Sequence, residues 1–244
     1  MSSRLPPVEV LLIGFGWTGA IMAQELSDSD LEVLALERGP WRDTATDFSP
    51  TFVQDELRYS FRHEQFQDIA HDTLTFRNAL NETALPMRKL GSFILGTGVG
   101  GSGVHWNGQS WRFLPSDFRM RSHNLERYGR KALADDMTVQ DWGVTYEELE
   151  AYYEKFEYLC GVGGKAGNIK GVIQDGGNPF EGPRQSEFPN PPMQMTYGPT
   201  LFAEAARSLG YRPFPQPSAN MSQAYTNPLG RPFELVRDGG FVCW

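Results

Sequence analysis

The sequence predicts an α/β fold, with parallel strands joined by a helix, on three observations. An apolar run at residues 8–13 (VEVLLI) ends in the glycine turn Gly14-Phe15-Gly16-Trp17-Thr18-Gly19. A helical segment follows, and a second apolar run at 31–36 (LEVLAL) delivers Glu37 and Arg38. A buried strand, a glycine turn, a helix and a second strand ending in an acid make up the β-α-β unit that binds an ADP-containing dinucleotide.

Each part of that unit has a physical role. Gly14 permits the tight turn, Gly16 lets the main chain approach a pyrophosphate, and Gly19 allows close packing of helix on strand. The helix N-terminus favours the phosphate charge. Glu37 stands 23 residues after Gly14 (37 − 14) and is placed to accept hydrogen bonds from the adenosine ribose. A carboxylate there disfavours a 2′-phosphate, so NADP is the dinucleotide least expected. A lone G-x-G-x-x-G is also compatible with a turn that holds no ligand; the flanking strand, helix and acid make the dinucleotide reading the more specific one.

Residues 41–90 are polar and aromatic-rich without a long period, which suits an excursion of short helices and loops. The chain then reaches a second glycine segment, in which five glycines fall within residues 96–103, followed by Val104, His105 and Trp106. Such a backbone either bends sharply as a tight loop around a structural histidine or lies against something flat. In the second case Gly100, Gly101 and Gly103 bring main-chain amides to a planar cofactor, with His105 and Trp106 beside its ring. Two glycine segments in one chain, the first an ADP-binding unit, favour a cofactor with two ends: FAD.

Further along, Thr145 and Glu148 form a capping box ahead of Leu149, Tyr152, Tyr153, Phe156 and Leu159 at helical spacing, which predicts an amphipathic helix ending near Gly161 with that stripe in the core. The acids Glu147, Glu148, Glu150, Glu154 and Glu157 read as its solvated face. Residues 161–192, rich in Gly and Pro, read as a long irregular connection, and a second helix is expected at 198–209, stopped by Gly210. Residues 212–244 have scattered prolines and no strong period. There is no internal repeat and no low-complexity tract. The expected division is an N-terminal cofactor-binding part with its excursion, 1–140, and a helical connection with a partial substrate or interdomain region, 141–244.

Composition sets the outer bounds. The 244 residues, 40% hydrophobic, suffice for a core. A net charge of -8 and a pI of about 5.1 would repel nucleic acid or an anionic membrane surface. Cys160 and Cys243 are too few for a disulfide framework and lack metal-ligand spacing, so no metal site is expected. The N-terminal MSSRLPP leads straight into the first strand and no apolar run approaches bilayer length, so no signal peptide and no membrane insertion of its own is expected. Other chemistry is unsupported. Ser102 does not stand in G-x-S-x-G, and His63-Glu64 lacks the second histidine of H-E-x-x-H, since Gln67 stands there. His71 and His123 have no convergent partners in sequence.

With both glycine segments placed, the chain resembles the glucose-methanol-choline family of FAD-dependent oxidoreductases, and most of all the large flavoprotein subunits of bacterial membrane-bound sugar and sugar-acid dehydrogenases. The motifs that carry the resemblance are GFGWTG followed by LERG, GVGGSGVHWNG, TYEELEAYYEKFEYLCGVGGKAGN, PTLFAEAARSLGY and PFPQPSANMSQAYTNPLG, in this order over about residues 8–230. The resemblance implies an FAD-binding Rossmann-like domain with an incomplete substrate domain. It also implies a flavin that takes hydride from the carbinol carbon of a sugar, polyol or sugar acid and passes electrons to an acceptor other than oxygen. Gly14, Gly16, Thr18 and Gly19 would hold the pyrophosphate, Glu37 and Arg38 the adenosine end, and Gly100, Gly101, Ser102, His105, Trp106, Asn107 and Gly108 would line the isoalloxazine. In similar enzymes a histidine beside tryptophan in this loop can bond covalently to the flavin. His105 is the matching position, with Val104 where pyranose oxidases carry a hydroxyl residue. The resemblance further implies a small subunit and a cytochrome c subunit as partners. It places the protein on the periplasmic side of the inner membrane if exported with a partner, and otherwise in the cytoplasm.

The chain also departs from the pattern. The family's late catalytic histidine, with its histidine or asparagine partner, has no counterpart here, so no catalytic residue is assigned. After YTNPLG, where similar subunits enter a cysteine-rich stretch, the chain reads RPFELVRDGGFVCW. A truncated coding sequence is the expectation. Two alternatives stay open: a non-catalytic nucleotide-binding fragment, and an NAD-dependent enzyme using only the first glycine motif.

Overall fold

A computed structural model describes residues 5–42, 74–77, 79–87 and 95–233, with His105 described through its backbone alone. Most of the excursion at 41–90, with His63 and His71, lies outside the described residues, as does the tail from 234. The chain divides into two compact units, Met1–Trp106 and Asn107–Trp244.

The first unit is built on β1 (Val10–Ile13), α1 (Trp17–Leu26) and β2 (Val33–Leu36). The strands pair in parallel, Val10 opposite Val33 through Ile13 opposite Leu36, as the β-α-β reading requires. A crossover through a helix is the connection that parallel strands need. Strands β3 (Leu74–Phe76) and β4 (Leu85–Met87) form a separate antiparallel ribbon. Leu12 is the one buried apolar residue among those described in this unit, while Ile13 is 84% exposed and Trp17, Ile21, Met22 and Leu36 are open to solvent.

The second unit contains α2 (Pro115–Phe118), α3 (Met120–Tyr128), α4 (Tyr146–Cys160) and α5 (Tyr197–Ser208), with short antiparallel pairs β5 (Asn168–Ile169) with β6 (Val172–Ile173) and β7 (Tyr225–Thr226) with β8 (Pro232–Phe233). Helix α4 starts as expected. The Thr145 hydroxyl accepts from the Glu148 amide at 3.2 Å, and the Glu148 carboxylate accepts from the Thr145 amide at 2.7 Å. It ends as expected too, on Gly161 in the left-handed region at φ 63°, a cap that glycine adopts without strain. Helix α5 stops one residue short of the expected Leu209, and Gly210 beyond it has φ 83°.

Two expectations fail here. The acids of α4 are not all solvated: Glu150 and Glu157 are buried. The Arg112 guanidinium donates to both oxygens of Glu157 at 2.8 Å and to Glu150 at 3.0 Å, and Arg184 donates to Glu157 from the other side. Charge on a helix marks a solvated face only when no cation arrives from elsewhere, and here two arrive from distant loops. Burial works against the Arg112 charge, but its hydrogen bonds to Glu157 outweigh this and hold its pKa above the usual arginine value. The aromatic stripe is correspondingly incomplete. Tyr152 is exposed and Tyr153, Phe156 and Leu159 are half-buried, while Tyr146 is sealed beneath Gly182.

The segment 161–192 is irregular, as read, and much of it is buried. Val162, Ala166, Arg184 and Asn190 lie at the centre of the unit. A buried loop must satisfy its own amides and carbonyls. Here side chains do so: Glu181 accepts from Gly167 and Asn168, Glu187 from Ala166 and Phe188, and the Asn190 amide donates to the Gly161 carbonyl. From the C-terminal stretch, Ala219 and Met221 join this core.

Candidate functional site

In the first unit the two glycine segments come together. The Gly100 amide donates to the Phe15 carbonyl at 2.7 Å, Val99 donates to Pro40 at 3.0 Å, and Gly16 bridges Gly100 in parallel. The first turn therefore abuts the second, eighty-odd residues later.

Glycine is required at particular points. Gly14 sits at φ +91° with nothing within 4 Å of where a Cβ would stand, an open cradle above a backbone that other residues adopt only under strain. An ideal Cβ on Gly19 would lie 2.3 Å from the Gly14 carbonyl oxygen, so helix and turn can approach only without a side chain there. The first intrahelical bond runs from Ala20 to the Gly16 carbonyl. The first-turn amides of α1, which include Thr18 and Gly19, have no intrahelical acceptor and a positive helix end behind them. Thr18 and Arg38 are exposed.

Glu37 joins the two strand ends. Its carboxylate accepts from the Phe15 amide at 2.7 Å and the Gly39 amide at 2.8 Å. The bonds from Gly39 and then Phe15 hold its pKa below the usual carboxylate value, so at neutral pH it is an ionised acceptor. Two main-chain donors leave lone pairs on a carboxylate for a ribose hydroxyl.

In the second segment, residues 101–105 form a 3-10 turn that His105 closes; its side chain lies outside the described residues. The Ser102 hydroxyl accepts from the Gly96 amide at 3.0 Å, tying the loop to itself. Trp106 meets Trp17 edge to face, with centroids 5.3 Å apart. Trp17 is a residue that sequence reasoning passed over, because it occupies a variable position of the first motif. Its indole lies over Gly103, where an added Cβ would sit 2.4 Å from Nε1. Trp17 thereby couples the start of α1 to the second loop.

Asn107 and Gly108 belong to the second unit. There the Gly108 carbonyl accepts from the Ala219 amide at 2.7 Å, and the Asn107 carbonyl accepts from the Asn220 side-chain amide at 3.1 Å.

The open main chain at Gly14, the first-turn amides of α1 and the ionised Glu37 fit the ADP half of a dinucleotide, whereas the glycines of the second loop face other parts of the chain, Gly101 meeting Gly16 and Gly103 meeting Trp17. Among the described residues no helix is long and apolar enough to cross a membrane.

No family model matches the chain. It is 45% identical, over 94% of its length, to the gluconate 2-dehydrogenase flavoprotein of Pantoea cypripedii, of which it covers 38%. It is 30% identical, over 95% of its length, to the fructose dehydrogenase large subunit of Gluconobacter japonicus, of which it covers 39%. To the 2-methyl-1,2-propanediol dehydrogenase of Mycolicibacterium austroafricanum it is 27% identical over 90% of its length, covering 34% of that protein. The chain thus spans little more than a third of the curated relatives it matches. The resemblance carried by the glycine motifs extends across nearly all of this chain, and it is to the flavoprotein of a gluconate 2-dehydrogenase and the large subunit of a fructose dehydrogenase.

Proposed function

We propose that this chain is the FAD-binding part of an oxidoreductase of the glucose-methanol-choline type that oxidises a CH–OH group of a sugar, polyol or sugar acid and passes electrons to an acceptor other than oxygen. The observation that carries this reading is the abutment of Gly16 on Gly100 beside an ionised Glu37, supported by the similarity to the gluconate 2-dehydrogenase flavoprotein. Gly14, Gly16, Thr18 and Gly19 hold the pyrophosphate, and Glu37 and Arg38 the adenosine end. Gly100, Gly101, Ser102, His105 and Trp106 face the flavin ring, and Asn107 and Gly108 continue that loop. When bound, FAD supplies the hydride acceptor. The chain's own part is to orient the cofactor, and His105 is the position at which it would bond to the flavin covalently. In this reading residues 1–140 serve the cofactor and 141–244 serve the substrate side. The substrate is a small polyhydroxy compound, and the same proposal includes a small subunit and a cytochrome c subunit as partners, with a periplasmic setting if the chain is exported with a partner and a cytoplasmic one otherwise.

Fluorescence titration tests the cofactor. FAD and ADP bind more tightly than NADP, and Glu37→Ala weakens FAD by about 1 to 3 kcal/mol through loss of hydrogen bonds to a charged acceptor. NADP binding more tightly than FAD would sink the reading.

A second reading, a nucleotide-binding piece that acts only with another polypeptide, is favoured by the exposure of Ile13, Ile21 and Leu36 in the first unit. Neither reading assigns a catalytic base within this chain, so a purified chain that holds FAD should show no appreciable dye reduction with gluconate; turnover in the usual enzymatic range, roughly 1 to 1000 per second, would overturn the reading of its C-terminal stretch.

A further inference from the structure

In the second unit, the main chain that follows the second glycine segment is held by residues from far along the sequence. We propose that Asn220 is a positioning residue for the cofactor, whose side chain fixes the Asn107–Gly108 peptide in the orientation in which it meets the flavin. The inference deepens the flavoprotein reading and rests on it. It gives a role to a residue that lies outside both glycine motifs.

Residues 108–110 run antiparallel to 217–219. The Ala219 amide donates to the Gly108 carbonyl at 2.7 Å, the Ser110 amide donates to the Pro217 carbonyl at 3.0 Å, and Gln109 stands opposite Ser218. Asn220 comes next, and its side-chain amide donates to the Asn107 carbonyl at 3.1 Å. The support behind it is stiff. Ser218 and Gly163 exchange two main-chain hydrogen bonds, at 2.7 and 2.9 Å, and the Asn220 main-chain amide donates to the Ser218 hydroxyl at 3.2 Å. Ala219 and Met221, on either side of Asn220, are 1% exposed. With its backbone fixed on both flanks, Asn220 has only its own side-chain rotation to give up in making the bond.

The bond sets direction as well as place. A planar trans peptide aims its carbonyl and its N–H oppositely. With the Asn107 carbonyl turned to Asn220, the Gly108 N–H therefore faces away from that side chain. Gly108 is fitted to the same neighbour: it has φ +79°, and an added Cβ would lie 3.1 Å from the Asn220 Oδ1 and 3.2 Å from its Cγ. The asparagine occupies the space that a side chain at 108 would need, and glycine takes the left-handed backbone without strain. Aspartate at 220 would keep the shape but, when ionised, has acceptors only. It would turn the attraction for the Asn107 carbonyl into a repulsion.

The test uses the 244-residue chain with Asn220→Asp, Asn220→Ala and a control, Tyr225→Phe, which removes a 2.8 Å hydrogen bond to the Tyr158 carbonyl in the same unit. Without ligand, hydrogen exchange should show the Ala219 amide, whose acceptor is Gly108, exchanging about tenfold faster in both Asn220 variants, the scale of one hydrogen bond. With FAD, Asn220→Asp should shift the flavin absorption maximum and weaken binding about tenfold. Asn220→Ala should do the same to a lesser degree, and ADP affinity should stay at the parent value in both. Tyr225→Phe should lower the melting temperature and leave the flavin spectrum unchanged. Parent spectrum and parent FAD affinity in Asn220→Asp would overturn the proposal. So would an equal spectral shift in Tyr225→Phe, since loosening the unit would then be enough, and so would unchanged Ala219 exchange, since the peptide would then be held without Asn220. Each of these leaves the flavoprotein reading standing. A parent chain that binds neither FAD nor ADP refutes that reading, and the inference falls with it.

Discussion

The two units of this chain are held together by different means. In the first, contact is made by main chain against main chain: Gly19 on the Gly14 carbonyl, Gly100 on the Phe15 carbonyl, and the Glu37 carboxylate closing both strand ends. Little apolar surface is buried among its described residues. In the second, Phe118, Tyr146, Val162 and Met221 pack at 2% exposure or less around an internal ion cluster. A unit that closes by backbone on backbone has few side chains left with which to build a core, whereas the other unit has its own.

The largest expected effect that sharpens this contrast is on the ion cluster. Glu157→Ala leaves Arg112 and Arg184 buried without their shared acceptor, and removing one partner of a buried pair typically costs about 3 to 5 kcal/mol. Denaturant unfolding followed by Trp142 fluorescence should show that loss, while ADP affinity in native buffer stays the same. ADP affinity falling in step would erase the distinction between the units. Next is Gly19→Ala, whose methyl meets the Gly14 carbonyl; overpacking of this kind costs about 1 to 3 kcal/mol. Calorimetry should find ADP and FAD binding weakened together.

Trp17→Ala separates the two ends of the cofactor. With the indole gone from Gly103, FAD affinity should drop by about tenfold, or about 1.4 kcal/mol, and ADP affinity should be unchanged. An equal fall in both would assign Trp17 to helix packing only. The smallest effect concerns pH. Because main-chain hydrogen bonds lower the Glu37 pKa in the folded chain, its stabilising contribution is complete above the ordinary carboxylate value and disappears as pH falls through the lower, folded one. Acid titration of the parent and of Glu37→Gln should therefore differ above the ordinary carboxylate value, about 4.3, and converge only once pH falls below the lower, folded one. Parallel curves throughout would mean that the carboxylate does not close the turn.

The sequence revealed most where the signal is local. The Thr145–Glu148 box depends on neighbours three residues apart, and the strand pair and glycine turn on one contiguous strand-turn-helix-strand pattern, and each appears as read. Glu150 and Glu157 were misread because their partners, Arg112 and Arg184, stand 27 to 45 residues away, and nothing in the spacing of α4 announces them. The burial of segment 161–192 was not legible for a related reason. Glycine and proline mark irregular backbone, but whether that backbone is buried depends on remote acceptors such as Glu181 and Glu187. Trp17 was missed because a variable position in a glycine motif carries no signal until its neighbour, Gly103, is known.

The meeting of Gly16 with Gly100 also orders events in time. The Glu37 carboxylate reaches the Phe15 amide across 22 residues, but the glycine contact closes 84 (100 − 16). Closing the longer loop costs about 1 kcal/mol more in chain entropy than closing the shorter one, since each doubling adds about 0.6 kcal/mol. Contacts of that span form late. During synthesis the β-α-β turn and its carboxylate latch therefore assemble first; in the proposed flavoprotein reading they offer a seat for the adenine end, and the wall for the flavin ring arrives afterwards. A dinucleotide seated by its ADP half would then lower the cost of bringing that wall into place, acting as a folding template before it acts as a cofactor.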